Sequence, residues 1–203
     1  MSGRLEEKKQ AKKQNLLDAA YSLFTQKGVA KTSVDEIVQH AKVAKGTFYL
    51  YFKDKGDVLQ ELIYKISYRV LIEAYTEVQT KRTGDFTEDF ILMVDGIVEY
   101  FSHNRLPLRL IERNFSWPMV AQQIYERADD PLWRQITQDL ASSPLAKRYT
   151  QEEIFRLIYV ILEMCGSTCY SSIIEHRPAP INEMKPMLYD IRSEEHTSEL
   201  QSR

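Results

Sequence analysis

The 203-residue sequence predicts an all-α fold, with a head of three helices at residues 1–56 and a larger helical body at residues 57–191. Two observations favour this fold class. Apolar residues recur at the three- and four-residue spacing of helices along most of the chain, and no segment shows the two-residue alternation of a strand. We expect about nine helices and find no internal repeat.

The clearest segment runs from Ser33 to Lys55 and predicts two short helices joined by a tight turn. Ser33 and Glu36 have the spacing of a capping box, in which each side chain satisfies a backbone N–H of the first turn. Only residues 42–44 separate this helix from one that begins near Lys45. The two helices must therefore meet at a steep angle, as in a helix-turn-helix.

The second short helix is unusual for one that serves only stability. Phe48 and Phe52 share a face and are predicted to be core residues, whereas Gly46 lies on the opposite side. At an exposed helical position glycine costs about 1 kcal/mol relative to alanine, so Gly46 suits a place where another molecule approaches the backbone. Hydroxyl and ammonium groups around it are donors of the kind that contact phosphate and sugar, which favours DNA as that molecule.

The segment TSVDEIVQHAKVAKGTFYLYFKDKGDVL, residues 32–59, resembles the N-terminal signature of the TetR family of bacterial transcription regulators. Two positions depart from the usual pattern, since Lys42 stands where the turn commonly has glycine and Gly56 where an acidic residue is common. Neither change removes a contact position. The resemblance implies that the helix at residues 45–51 reads DNA, and that the body pairs with a second copy and binds a small-molecule effector.

The same resemblance assigns individual roles. It places Lys45, Gly46, Thr47 and Tyr49 nearest the base edges, and Ser33, Thr47, Tyr51 and Lys55 on the phosphates. A lysine at position 45 is chemically suited to guanine O6 and N7. Two alternatives stay open: Tyr49 as a partly buried core aromatic, and Lys53 as a solvated surface lysine.

Charge is unevenly distributed along the chain. Residues 1–56 contain eleven basic and six acidic side chains, a net charge of +5, whereas the whole chain carries −2 and the remainder therefore −7. A basic head on an acidic body suits a protein whose head alone binds a polyanion. The basic run at residues 4–13 is by itself more typical of a solvated surface.

Apolar series and helix breakers predict the other helices at about residues 9–26, 54–81, 86–101, 107–115, 132–140 and 151–175, with a loop at 142–149 and a last helix from near Pro186. The helix at 151–175 is apolar almost all round, so we expect a second copy to cover part of it, giving a two-fold homodimer. The predicted dimer residues are Ile154, Ile158, Ile161, Cys165, Cys169 and Leu188. The two cysteines are interpreted as small buried apolar residues, without a redox or metal role.

Aromatic and sulfur-containing residues of the body are candidates for lining an effector pocket, although each of them taken singly is more typical of a core residue. The candidates are Phe90, Met93, Phe101, Trp117, Tyr125, Trp133 and Tyr159. No catalytic motif is recognisable, so we expect neither an enzyme nor a cofactor or metal site. The predicted function is a repressor released from its double-stranded DNA operator by a small molecule. The alternative is a helical protein-protein adaptor that retains a helix-turn-helix without specific DNA binding.

The two ends of the chain carry further expectations. The charged start lacks the apolar stretch of a signal peptide, and no segment approaches the ~20 uninterrupted apolar residues of a membrane span, so a cytoplasmic location is expected. The string RSEEHTSELQS, residues 192–202, resembles the in-frame translation of a sequencing-adapter oligonucleotide. We therefore expect residues 192–203 to be a non-native tail that cuts the last helix short.

Overall fold

The computed structural model describes residues 2–112 and 131–190, and within these ranges the chain is helical without strands, which confirms the predicted fold class. Nine α-helices are present in the described residues: α1 (Ser2–Lys27), α2 (Val34–His40), α3 (Lys45–Tyr49), α4 (Lys55–Lys81), α5 (Phe86–His103), α6 (Arg105–Glu112), α7 (Pro131–Ser142), α8 (Gln151–Tyr170) and α9 (Ile181–Asp190).

Several predicted boundaries differ from the structure. The short helix α3 ends at Tyr49, because the chain turns through Leu50 and Tyr51 before α4 begins. The predicted loop at 142–149 contains a 3₁₀ turn, Pro144–Lys147. The start predicted near Pro186 is wrong: α9 begins at Ile181 and carries this proline inside it. Proline removes one N–H from the helical hydrogen bonds, and α9 packs against α8.

The chain divides into two compact units, residues 2–68 and the described residues from Arg69 onward. The boundary falls inside α4, further along the chain than the start of α4, where the sequence placed it. In the first unit, α2 packs against both α1 and α3. Its core consists of buried apolar side chains, among them Leu16, Leu17, Phe24, Ile37, Phe48, Val58 and Ile63.

The second unit is organised around α8, which contacts α5, α6 and α9. Polar side chains add links between its other helices. The Tyr75 hydroxyl donates to Asp139 on α7 at 2.8 Å, and Arg82 pairs with the same carboxylate at 2.7 Å. Burial alone would raise the pKa of Asp139, but hydrogen bonds from Tyr75 and Gln135 outweigh that effect and lower the pKa.

Helix α8 buries within its own chain much of the side that was predicted to contact a second copy. Ile154, Cys165 and Cys169 are buried within their own chain, and Leu188 and Ile161 are half-buried. The side chain of Ile158 lies outside the described part of the structure. Exposed apolar side chains occur instead at Leu157, Val160 and Met164. Three of the predicted dimer residues are therefore core residues of the second unit.

The segment Gln151–Glu175, which includes α8 and the π-helical turn Ser171–Glu175, is long and apolar enough to cross a membrane by length and composition. This finding differs from the expectation that no segment approaches a membrane span. Core helices of soluble proteins pass the same test. Arg156 and Glu163 lie within α8, and its buried side contacts three other helices of the second unit.

Candidate nucleic-acid interface

The predicted capping box fixes the start of α2. The Ser33 hydroxyl accepts the Glu36 backbone N–H at 3.3 Å, and Glu36 Oε2 accepts both the Ser33 backbone N–H and its hydroxyl at 2.9 Å. Because the only O–H of Ser33 is used here, the predicted phosphate contact through this hydroxyl requires that internal bond to break. Lys27, the last residue of α1, forms a hydrogen-bonded ion pair with the Glu36 carboxylate. That bond and those from Ser33 lower the Glu36 pKa from its ordinary value of 4.5 to about 2.

The turn between α2 and α3 is a Schellman motif, which ends α2 and reverses the chain. The Val43 N–H bonds the Val38 carbonyl at 3.0 Å, and the Lys42 N–H bonds the Gln39 carbonyl at 3.2 Å. Lys42 has a φ of 55°, in the left-handed region that favours glycine. The lysine adopts the backbone that the turn requires, and its side chain remains exposed.

The inner side of α3 anchors the helix to the first unit. Phe48 is fully buried and Phe52 nearly so, with ring centroids 5.7 Å apart, as predicted for core residues. The Lys13 ammonium lies 5.7 Å from the Phe52 ring centroid and 2.9 Å from Glu61 on α4. These contacts leave the opposite side of α3 facing away from the core of its unit.

That outward side carries Lys45, Gly46, Tyr49 and Leu50, all exposed. A Cβ built on Gly46 would meet no atom within 4 Å, so packing within the protein does not require glycine there. Tyr49 is 55% exposed, which contradicts a core role, although its ring touches Phe48 edge-on. Thr47 and Tyr51 are half-buried.

Lys45 has an internal partner. Its ammonium lies 2.7 Å from Asp35 Oδ1 in the first turn of α2, and both side chains are well exposed. The hydrogen bond to Asp35 and the charge of that carboxylate raise the pKa of Lys45. Any contact of Lys45 with a base edge would exchange this carboxylate for a base acceptor.

Lys55 is used inside the protein. Its ammonium donates to the backbone carbonyls of Val29 at 2.9 Å, Ala30 at 3.2 Å and Thr32 at 2.9 Å, in the loop before α2. An ammonium has three N–H groups, and all three are occupied. The predicted phosphate contact by Lys55 therefore conflicts with this geometry. Lys55 instead connects the first turn of α4 to the loop before α2 through hydrogen bonds.

Other cations of the first unit are better placed to meet a polyanion. Lys42 and Lys53 are exposed, and neither has a hydrogen bond or ion pair from its ammonium to any part of the chain that the structure describes. Lys53 lies immediately before Asp54, whose side chain accepts the Asp57 N–H at the start of α4. Lys53 is therefore free to contact a phosphate, whereas Lys55 is not.

Asp35 and Leu50 also belong to this surface, although neither was among the predicted site residues. An acidic residue in the first turn of a helix is explained by the helix dipole alone, so the position of Asp35 in α2 does not by itself indicate a partner for Lys45. For Leu50 the signal was its position opposite Phe48. Leu50 is 79% exposed, the largest value for a large apolar side chain among the described residues.

The predicted effector-pocket residues differ in burial where the structure describes them. Phe101 is buried, Phe90 and Met93 are half-buried, and Tyr159 is exposed. Trp117 and Tyr125 lie outside the described residues, as does the side chain of Trp133. Within ranges 2–112 and 131–190, no cluster of three or more histidine, cysteine, aspartate or glutamate side chains is arranged to hold a metal ion.

Comparison with known proteins identifies the first unit. Residues 16–62 match the model of the family described as bacterial regulatory proteins, tetR family. The HTH-type transcriptional regulator AcrR of Shigella flexneri is 39% identical over 85 residues, or 42% of this chain and 39% of that protein. The fatty acid metabolism regulator protein of Bacillus subtilis is 41% identical over 54 residues, or 27% and 28% of the two chains. The chain thus matches well under half the length of these relatives.

Solved structures extend the likeness in fold to most of the chain. A TetR-family transcriptional regulator from Syntrophomonas wolfei aligns with a TM-score of 0.63 at 22% identity, covering 89% of this chain and 92% of that one. FadR from Bacillus subtilis in complex with stearoyl-CoA aligns with a TM-score of 0.59 at 17% identity, covering 88% and 96%. Residues 16–62, which include the helix-turn-helix, thus match the tetR family of bacterial regulatory proteins, and the chain shares its all-helical fold with solved structures of that family.

Proposed function

We propose that this protein is a DNA-binding transcription regulator that represses by occupying an operator and is released by a small molecule. The observation that carries the proposal is the two-sided character of α3. Phe48 is fully buried on its inner side, while Lys45, Gly46 and Tyr49 face outward on a unit with a net positive charge. Such a helix suits the major groove, which admits one helix and presents acceptors to a lysine.

The direct test is binding of the whole protein to duplex DNA taken from upstream of its own gene, followed by fluorescence anisotropy over a range of salt concentrations. We expect tighter binding to this fragment than to a scrambled duplex, and an affinity that falls as salt rises, with a slope of about 0.9 per phosphate neutralised. Absence of binding to any duplex at low ionic strength would favour the adaptor function instead.

Lys45→Ala tests base reading by α3. We expect a loss of roughly 1–3 kcal/mol on the selected operator and a relaxed preference at one base pair, because a lysine contact to guanine is removed. The control is Asp35→Asn, which frees Lys45 from its internal partner and should leave the base preference intact. An equal loss on all sequences for Lys45→Ala would make Lys45 a phosphate contact.

We further propose that a second copy covers the exposed apolar side of α8, formed by Leu157, Val160 and Met164, together with Met187 on α9. These four residues replace the buried residues first predicted for the dimer. Covering apolar surface is favourable in proportion to its area. A dimer would present two α3 helices to half-sites about 34 Å apart or a multiple of that distance.

For the effector we propose an apolar-tailed molecule, with fatty acyl-CoA as the first class to test. The support is the solved structure of FadR with stearoyl-CoA, whose fold this chain shares. An effector acts only through its different affinities for the DNA-bound and free forms, so stearoyl-CoA should weaken operator binding and the operator should weaken stearoyl-CoA binding by the same factor. CoA alone and stearate alone are the controls. No effect of stearoyl-CoA would reject this effector class and leave the DNA-binding proposal intact.

A further inference from the structure

Leu50 is an apolar side chain held outside the protein at the end of a helix that is otherwise outwardly polar. Burying a leucine side chain is worth roughly 1.5–3 kcal/mol, and Leu50 gains little of this because it is 79% exposed. It adopts the helical backbone, with φ −74° and ψ −21°, and its N–H bonds the Thr47 carbonyl at 3.3 Å. Leu50 therefore extends the outward surface of α3 by one residue.

At about 100° per residue, Gly46 and Leu50 differ by about 40° around the α3 axis, so they lie one above the other on the same side. Gly46 has no side chain, and space around it is open. A partner that approaches the backbone at Gly46 meets the Leu50 side chain about one helical turn further on. The donors of Lys45 and Thr47 lie at the opposite, N-terminal end of this helix.

We infer that Leu50 contacts the 5-methyl group of a thymine and so sets the base preference at the C-terminal end of α3. This inference rests on the DNA-binding function proposed above. Among the base edges of the major groove, the thymine methyl is the apolar group and the others are donors or acceptors. Leu50 has no donor or acceptor in its side chain, so the methyl is its complementary partner. The surface then reads acceptors with Lys45 and a methyl group with Leu50.

The test is a double-mutant cycle on a duplex selected by the wild-type protein from a random library. Each thymine of that duplex is replaced singly by deoxyuridine, which lacks only the methyl group. We expect one thymine per half-site at which the wild type loses about fourfold in affinity, the effect of about one buried methyl. Leu50→Ala should lose a similar factor on the unmodified duplex and show no further loss with deoxyuridine there.

Leu106→Ala on α6 is the matched control, because Leu106 is also an exposed leucine and has no assigned role in binding. It should retain the full deoxyuridine effect. Leu50→Gln should shift the selected base toward adenine, because a glutamine side chain can form two hydrogen bonds with adenine. Binding of this variant to DNA would also show that the first unit is folded. Equal loss of affinity on deoxyuridine substitution in the wild type and in Leu50→Ala would overturn the role of Leu50 but leave the DNA-binding function intact. Failure of the wild type to select any sequence would overturn the DNA-binding function itself.

Discussion

Lys53 and Lys55 are neighbouring lysines with the same charge and different surroundings. Lys55→Met should remove three hydrogen bonds to the loop before α2 and lower the free energy of unfolding by about 1–3 kcal/mol, because partly buried carbonyls lose their donor. Lys53→Met, the matched control, should leave stability unchanged and lower the salt slope of DNA binding by about one. Chemical denaturation and anisotropy measure the two effects. A lower salt slope without lost stability in Lys55→Met would restore its phosphate role.

Substitution of Gly46 should have opposite effects on the stability of the protein and on its affinity for DNA. Gly46→Ala should stabilise the first unit by up to about 1 kcal/mol, because alanine is the better helix former and its methyl group meets no protein atom. The same change should weaken operator binding, since it places a methyl group where the DNA backbone or a base would approach. Thermal unfolding and anisotropy give the two values. Gly166→Ala on α8, where space is also open, should stabilise without weakening binding.

Some residue roles were predictable from the sequence and others were not. The capping pair Ser33–Glu36 and the core positions of Phe48 and Phe52 depend on spacing within one helix, so the pattern alone predicted them correctly. The three acceptors of Lys55 lie 23 to 26 residues away in sequence. No local pattern brings that loop to the start of α4, and only the folded chain assigns Lys55 its role.

The stability of helix α2 should respond to acid. The pKa of Glu36 is about 2 when folded and near 4.5 otherwise, so its contribution is present above pH 4.5 and is lost as pH falls toward 2. Glu36→Gln should therefore flatten the fall in stability over that range, as measured by denaturation at a series of pH values. Glu7→Gln, an exposed glutamate on α1, should leave the curve unchanged. An unchanged curve for Glu36→Gln would mean that the cap does not contribute.

The start and the buried side of a helix were predicted more accurately for some helices than for others. Helix α2 has a capping box and a one-sided apolar face, and both its start and its buried side were predicted correctly. Helix α8 has a capping box as well, Thr150 with Glu153, yet it is apolar almost all round. A helix without a polar side does not reveal which side its own chain covers, so the buried and exposed sides were interchanged. Helix α9 begins at Ile181, before its predicted start near Pro186, because proline is typical of a first helical turn but here lies inside the helix.

At the scale of the whole molecule, the exposed side of α8 predicts the assembly. Val160→Asp should convert a dimer to monomers that bind half-sites weakly, because a charge would be buried between two apolar surfaces. Sedimentation equilibrium measures the mass. Tyr159→Asp adds the same charge at an exposed position on another side of the same helix, and should leave the dimer intact. A dimer that persists in Val160→Asp would place the contact elsewhere.

Fold class and family were recoverable from the sequence because they depend on patterns that are local to single helices. The match at residues 16–62 includes the whole segment, residues 32–59, that carried the resemblance. The effector was not recoverable, since a pocket forms where several helices meet and its aromatic residues have the same composition as a core. Three of its predicted residues lie wholly or by their side chains outside the described structure.

The proposed association through the apolar row of Leu157, Val160 and Met164 would make thermal stability depend on the concentration of the protein. Where two copies must associate to shield this row, dilution favours separated chains by mass action, and separated chains unfold more readily. The melting temperature should then climb with each tenfold increase in concentration. In a cell, a low concentration of the protein would increase the fraction of separated chains, and each molecule would then unfold sooner.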